Sequence, residues 1–309
     1  MIWSKVDVNI NGLTMDAIAP MIVSASRATD IPAFYSDEFY NCLKQGYLYW
    51  TNPFNGKKSL ISFSHLRFIV FWTKNANPII SYLDKITKLG INFYFNYTLN
   101  DYEKEGLEAK LPPLKKRIDN FKNLSDKIGT DKVIWRFDPL VMTKGTNDEY
   151  LIGKIVKIAG QIYRHTSRVV VSFVDTHYLK VRTNFDKNGI EIEKPDRDEF
   201  MKKLHEALKP YSLGIYTCAD EHKFDQGIAQ SNKCVDDELI LKLSPDDKEL
   251  CGFINNLKTK GQLKDKGQRK ACGCMVSKDI GRYNSCFYSC TYCYAGFIGK
   301  VRSKPKIFG

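Results

Sequence analysis

Short apolar runs rich in β-branched and aromatic residues recur along the chain at Met21–Ala25, Phe68–Trp72, Asn92–Tyr97, Lys132–Phe137, Arg168–Phe173 and Leu213–Thr217. Each is bounded by polar or turn-forming residues, as expected of a strand buried on both faces. Between them, Asp37–Gln45, Ile79–Leu89, Leu114–Ile128, Asp148–Tyr163 and Asp196–Leu208 carry apolar residues at helical spacing. Strand followed by helix, repeated in this way, predicts a parallel sheet with right-handed crossovers. The expected fold is therefore α/β, a partial, TIM-like (β/α) barrel of about six parallel strands over residues 1–219. After Ala219 the pattern changes. Two more helices are predicted over Asp236–Leu243 and Pro245–Leu257, then a Lys/Gly-rich connector and a cysteine-rich tail. The tail is too short to fold alone without metal. Residues 220–309 are expected to cap the barrel mouth as part of one compact unit.

Each run exits into hydrogen-bonding or charged residues: Ser24, Ser26 and Arg27, then Thr73, Lys74 and Asn75, then Asn96 and Thr98. Arg136 and Asp138 follow the fourth run, Ser172 and Asp175 the fifth, Cys218 and Asp220 the sixth. In parallel barrels the carboxyl ends of the strands carry the chemistry. Lys74, Arg136, Asp138 and Asp175 are the candidate catalytic residues. Arg136 and Asp138 are two apart on one strand end and share a face, which suits a buried ion pair as well as a substrate contact. Arg27, Thr29 and Asp30 precede Pro32 and suit a helix start.

Charge and composition change this picture little. The formal charge is +12, but the lysines are scattered through helical segments, as on a solvated surface. A polyanionic partner such as nucleic acid is the alternative. No apolar stretch approaches membrane-spanning length, so no membrane is expected. The first residues lack a signal-peptide pattern, and nine cysteines, an odd number and partly clustered, do not read as a secreted disulfide framework. A cytoplasmic location is expected.

The cysteines carry the sharpest signal. Cys286, Cys290 and Cys293 read C-x3-C-x2-C, with Tyr292 before the last. Three thiolates on one loop suit an iron–sulfur cubane with one iron left open. Zinc is the competing metal, with Cys272 or Cys274 completing a four-thiolate set. Cys218, Cys234, Cys272 and Cys274 are four further thiols, enough for a second cluster or a zinc ion, or else buried thiols without metal. Cys42 and Cys251 lie among apolar helical neighbours and read as core.

The motif C-x3-C-x-aromatic-C resembles the cluster loop of radical S-adenosylmethionine enzymes. The chain as a whole resembles an uncharacterised family, DUF1848. That resemblance rests on Ser24–Pro32, Phe71–Asn75, Val133–Pro139, Gln268–Cys274 and Asp279–Tyr283. The radical enzyme resemblance implies a [4Fe–4S] cluster on Cys286, Cys290 and Cys293 whose open iron chelates S-adenosylmethionine. It also implies Tyr292 beside the adenine, a reductant of the flavodoxin or ferredoxin class, and a radical acting on an unidentified substrate. Two departures stand out. The loop comes some 260 residues after the first strand instead of directly behind it, and no two glycines are adjacent to make the usual Gly-Gly-Glu element. Thr73 and Asn75 occupy that place, and with Ser24 and Arg27 they are the expected cofactor contacts. The alternatives are a nucleic-acid-associated protein with a structural iron–sulfur cluster, and a zinc-stapled barrel enzyme.

Overall fold

The six apolar runs all form strands of one sheet in the computed structural model, which describes residues 2–53, 55–225, 227–296 and 304–308. Parts of the expected tail, 226, 297–303 and 309, lie outside the described residues. The chain opens with β1 (Ser4–Ile10), β2 (Leu13–Ala19) and β3 (Ile22–Ala25), followed by α1 (Ile31–Phe34) and α2 (Ser36–Gln45). Next come β4 (Tyr47–Thr51), β5 (Lys58–Ser62), β6 (Phe68–Thr73), α3 (Ile80–Lys88) and β7 (Asn92–Thr98). Then follow α4 (Leu114–Ile128), β8 (Val133–Leu140), α5 (Asp148–Ile162), β9 (Arg168–Phe173), α6 (Leu179–Lys187) and α7 (Arg197–Leu208). The last elements are β10 (Gly214–Cys218), β11 (Gln230–Asn232), α8 (Asp237–Leu243), α9 (Lys248–Thr259) and β12 (Lys278–Asp279).

The main sheet has the order β11-β10-β9-β8-β7-β6-β3-β12, and every neighbouring pair is parallel. It has eight strands where six are expected. The two additions are short polar edge strands. The segment after the first and the segment before the second meet where the Met275 amide donates to the Val235 carbonyl at 3.0 Å. A second sheet, β1-β2-β5-β4, is not foreseen by the apolar pattern.

Alternation along the central strands builds an apolar layer on each face. Ile69, Phe71, Phe93, Phe95, Trp135 and Val171 belong to the larger layer, with residues of α2, α3, α4, α5 and α7. Phe68, Val70, Tyr94, Ile134 and Val170 face the other way and pack with Leu239 and Ile240 of α8 and Leu250 and Ile254 of α9. Burying each such side chain stabilises by roughly 1.5–3 kcal/mol. The two helices expected after Ala219 thus supply the second layer of the core. Helix starts follow the sequence: Asn147, Asp196, Asp236 and Asp247 each accept a first-turn amide with their side chains. At the end of α2, Gly46 adopts φ 86°, and its amide returns to Cys42 and Leu43.

Candidate functional site at the strand exits

β12 pairs with β3 in register Lys278↔Val23 and Asp279↔Ser24, so the tail lies against the first strand of the main sheet. Asp279 fastens it. Its carboxylate accepts from the Ser24 hydroxyl at 3.0 Å, from the Arg27 amide at 3.0 Å and from the Gly281 amide at 2.9 Å. The Arg27 guanidinium stands 3.8 Å away. Gly281 lies directly over Ser26: a Cβ there would meet the Ser26 Cβ at 2.7 Å. Farther on, the Thr29 hydroxyl reaches the Arg282 carbonyl at 2.7 Å, and the Tyr35 hydroxyl donates to the Ser285 carbonyl at 2.7 Å. The cysteine loop therefore starts at the exit of β3.

Within the loop Cys290 is buried, and Cys286 and Cys293 are half-buried. The Thr291 amide donates to the Leu107 carbonyl at 3.0 Å, and Phe34 packs on the rings of Phe287 and Tyr288. Burial raises the pKa of all three thiols, that of Cys290 to about 12, against the opposing charge of Lys74. Metal binding has to displace those protons. The donor set suits a cluster: three thiols on one loop, near enough to feel one another's charge, with a lysine beside Cys290. Among the described residues, no three Cys, His, Asp or Glu side chains already surround a point as the ligands of a bare ion would.

Lys74 and Tyr292 meet in a buried polar network. The Lys74 ammonium lies 2.8 Å from Glu108 Oε1 and 2.8 Å from the Tyr292 hydroxyl, and that hydroxyl donates to Glu108. Asn100 donates to both, and the Arg117 guanidinium is 3.5 Å from the other Glu108 oxygen. Burial by itself would raise the Glu108 pKa, but Lys74 and Arg117 outweigh it and hold the carboxyl below its ordinary range. Burial opposes the charge on Lys74 as well, and Glu108 and Cys290 overcome it. Sequence reasoning missed Glu108. It follows a charged, turn-rich stretch that reads as solvated surface, and only its position after the β7 exit marks it.

Asp30 caps α1 through the Ala33 amide, and it also takes the Thr73 hydroxyl and the Lys74 amide, each at 2.8 Å. Burial pushes its pKa up to about 7 despite those three donors. The Thr73 hydroxyl is committed to Asp30 and to the Asn75 amide. Asn75 accepts from the Asn77 amide and bonds to Tyr288 of the loop.

Arg136 and Asp138 form an ion pair at 2.5 Å, and Ser172 donates to the same carboxylate. Here too burial would raise the Asp138 pKa, and Arg136 keeps it low. Arg136 also donates to Cys234 Sγ at 3.0 Å, which stands 3.2 Å from Cys218 Sγ. The Cys274 sulfur accepts from the Cys234 amide at 3.1 Å, and Cys272 and Cys274 interact in turn. All four upstream cysteines are thus gathered at the β10 exit. Asp175 stands at the rim, bonded to exposed His177 and to Arg269 at 3.1 Å.

No helix among the described residues is long and apolar enough to cross a membrane. No curated protein and no solved structure matches the chain. Over residues 22–295, from the first strand of the main sheet to the end of the cysteine loop, it matches the domain of unknown function DUF1848, and the chain belongs to that family.

Proposed function

We propose that the main sheet forms a partial barrel capped by the tail, and that Cys286, Cys290 and Cys293 hold a [4Fe–4S] cluster. The protein would then be a radical S-adenosylmethionine-type enzyme acting on an unidentified substrate in a reducing cytoplasm. The observation that carries this reading is the pairing of β12 with β3. It puts the cysteine loop at the exit of the first central strand, where the superfamily it resembles carries its cluster, although the loop comes from the other end of the chain. When bound, the reduced cluster supplies the electron that cleaves S-adenosylmethionine to methionine and a 5′-deoxyadenosyl radical.

The chain's own residues hold and shield that chemistry. Lys74, Glu108 and Tyr292 fix the loop from below in a water-poor network. Ser24 and Arg27 bind Asp279 and so act on the tail before any cofactor. With no Gly-Gly-Glu element and the Thr73 hydroxyl engaged by Asp30, the Asn75 side chain remains the candidate to receive an ammonium. Arg136, Asp138 and Asp175 line the far side of the strand exits, where a polar substrate would rest. The electron would come from a flavodoxin or ferredoxin.

The deciding experiment is anaerobic reconstitution with iron and sulfide, then reduction with S-adenosylmethionine and assay for 5′-deoxyadenosine. A brown protein that releases 5′-deoxyadenosine, and loses both properties when any one of the three cysteines becomes alanine, is expected. A brown protein that does not bind S-adenosylmethionine would leave a structural cluster, and a colourless protein carrying only zinc would end the reading.

A further inference from the structure

A second group of sulfurs, outside the C-x3-C-x2-C loop, has the makings of a site of its own. Cys218 ends β10, Cys234 follows β11, and Cys272 and Cys274 precede β12. Three separate segments thus deliver four thiols to one place, three of them buried and Cys218 half-buried. The sulfurs form a chain: Cys218 touches Cys234 at 3.2 Å, Cys234 interacts with Cys274, and Cys274 with Cys272.

The surroundings treat these sulfurs as acceptors. Arg136 Nη1 donates to Cys234 at 3.0 Å and Asn232 Nδ2 at 3.4 Å, while the amides of Cys234 and Val235 donate to Cys274 at 3.1 and 3.4 Å. Neutral thiols are weak acceptors and thiolates strong ones, so these N–H groups would welcome the thiolates that a bound cation creates, although the neighbouring thiols and burial keep Cys234 and Cys274 protonated without one. Arg27 adds an independent sign. Its Nη2 is buried without a hydrogen-bond partner, and its charge is felt by Cys234 and Cys274. Two guanidinium groups therefore stand close to these sulfurs. Asp138 and Asp279 match the two charges, yet each arginine also has a nitrogen that its carboxylate does not take up.

We propose that Cys218, Cys234, Cys272 and Cys274 form a tetrathiolate site for a single thiophilic ion of the zinc class. Spacing favours one ion over a cubane. Zinc–sulfur bonds of about 2.3 Å in a tetrahedron set the sulfurs about 3.8 Å apart. The Cys218–Cys234 pair has to open by only about half an ångström to reach that separation, which a side-chain rotation supplies. A cubane puts each thiolate on a different iron and would spread them much farther. Four deprotonations accompany loading, the protons going to solvent as the ion replaces the S–H contacts. The ion would tie the segment after β11 to the segment before β12, two stretches now joined by the Met275–Val235 backbone bond and the amide bonds to Cys274.

The test uses the full chain with the first site removed, Cys286→Ala/Cys290→Ala/Cys293→Ala, so that the two sites are read separately. This variant should retain one zinc per chain, and cobalt in its place should give the thiolate-to-cobalt charge-transfer bands of a four-sulfur site. Adding Cys274→Ser should weaken zinc binding at least a hundredfold. A folded triple variant that binds no zinc, or one that holds iron and sulfide on these four cysteines, overturns the proposal. If the triple variant fails to fold, alkylation mapped on the wild-type chain decides. Chelator should expose the four cysteines together and leave Cys42 unchanged, and a pattern insensitive to chelator overturns the site.

Discussion

Replacing Gly281 by alanine tests whether the tail is seated on the first strand as described. The added Cβ would overlap the Ser26 hydroxyl and lie 2.7 Å from the Ser26 Cβ and 3.2 Å from Asp279 Oδ1. A hydroxyl can rotate aside, but a Cβ cannot, so the backbone on one side must move. Gly281 does not have a positive φ, so the effect is steric and owes nothing to conformational strain. Overpacking of this kind costs about 1–3 kcal/mol. The displaced atoms include the carboxylate that Ser24 and Arg27 share, so the loss should extend to the cysteine loop. Ser26→Gly clears the space at the expense of the Ala28 amide bond, 3.0 Å long, worth about 1 kcal/mol net. Urea unfolding of both single variants and the double variant gives the coupling directly. The double variant should be no less stable than Ser26→Gly alone, and Gly281→Ala alone should retain less iron per chain. Strict additivity, or a Gly281→Ala loss under about 0.5 kcal/mol, would refute the docking argument.

Lys74→Met should destabilise by about 3–5 kcal/mol, because it leaves the buried Glu108 charge with Arg117 as its only cation. Lys74→Met/Glu108→Gln should recover part of that loss in the same urea titration, and a double variant as unstable as the sum of the singles would show that the pair does not act as a unit. Asp30 sets a pH dependence. Its pKa is raised in the folded state from 3.8 to about 7, so the native state holds the proton more tightly than the unfolded chain does. Stability present below about pH 4 is therefore lost as pH rises toward 7, with a slope of at most about 1.4 kcal/mol per unit. Asp30→Asn should flatten the stability profile of the cluster-free protein across that window, and an unchanged profile would mean that Asp30 titrates normally.

The central strands were legible because they are buried on both faces. Phe68–Trp72 and Arg168–Phe173 are apolar runs with no competing helical period, and their observed limits agree within a residue. The edge strands were not legible for the opposite reason. Gln230–Asn232 and Lys278–Asp279 contain no apolar residue, and only pairing with β10 and β3 makes them strands. The small sheet did leave a trace. Asn11-Gly12, with φ 52° and 85°, is a turn pair between alternating residues such as Val6, Val8 and Ile10, the strongest local hairpin signal. The half-exposed alternation hid it beside the longer apolar runs. At the site, the cysteines and the strand-exit residues could be read because their side chains are rare or conspicuous in place. Glu108 could not, since what makes it notable is burial under Lys74, Arg117 and Tyr292, brought together from three distant parts of the chain.

The pairing of Ser24 with Asp279, 255 positions apart, has a consequence for how the protein is made. During synthesis the central strands can pair in the order in which they emerge, each beside the one before it. The cysteine loop cannot take its place until Lys278 to Cys293 have left the ribosome, and the exit of β3 must stay open until then. Closing so long a loop comes late in folding. A chain cut short by premature termination could still build most of both apolar layers, yet it would have no loop to present. On the proposed reading, metal could be taken up at Cys286, Cys290 and Cys293 only after that loop has emerged and paired with β3.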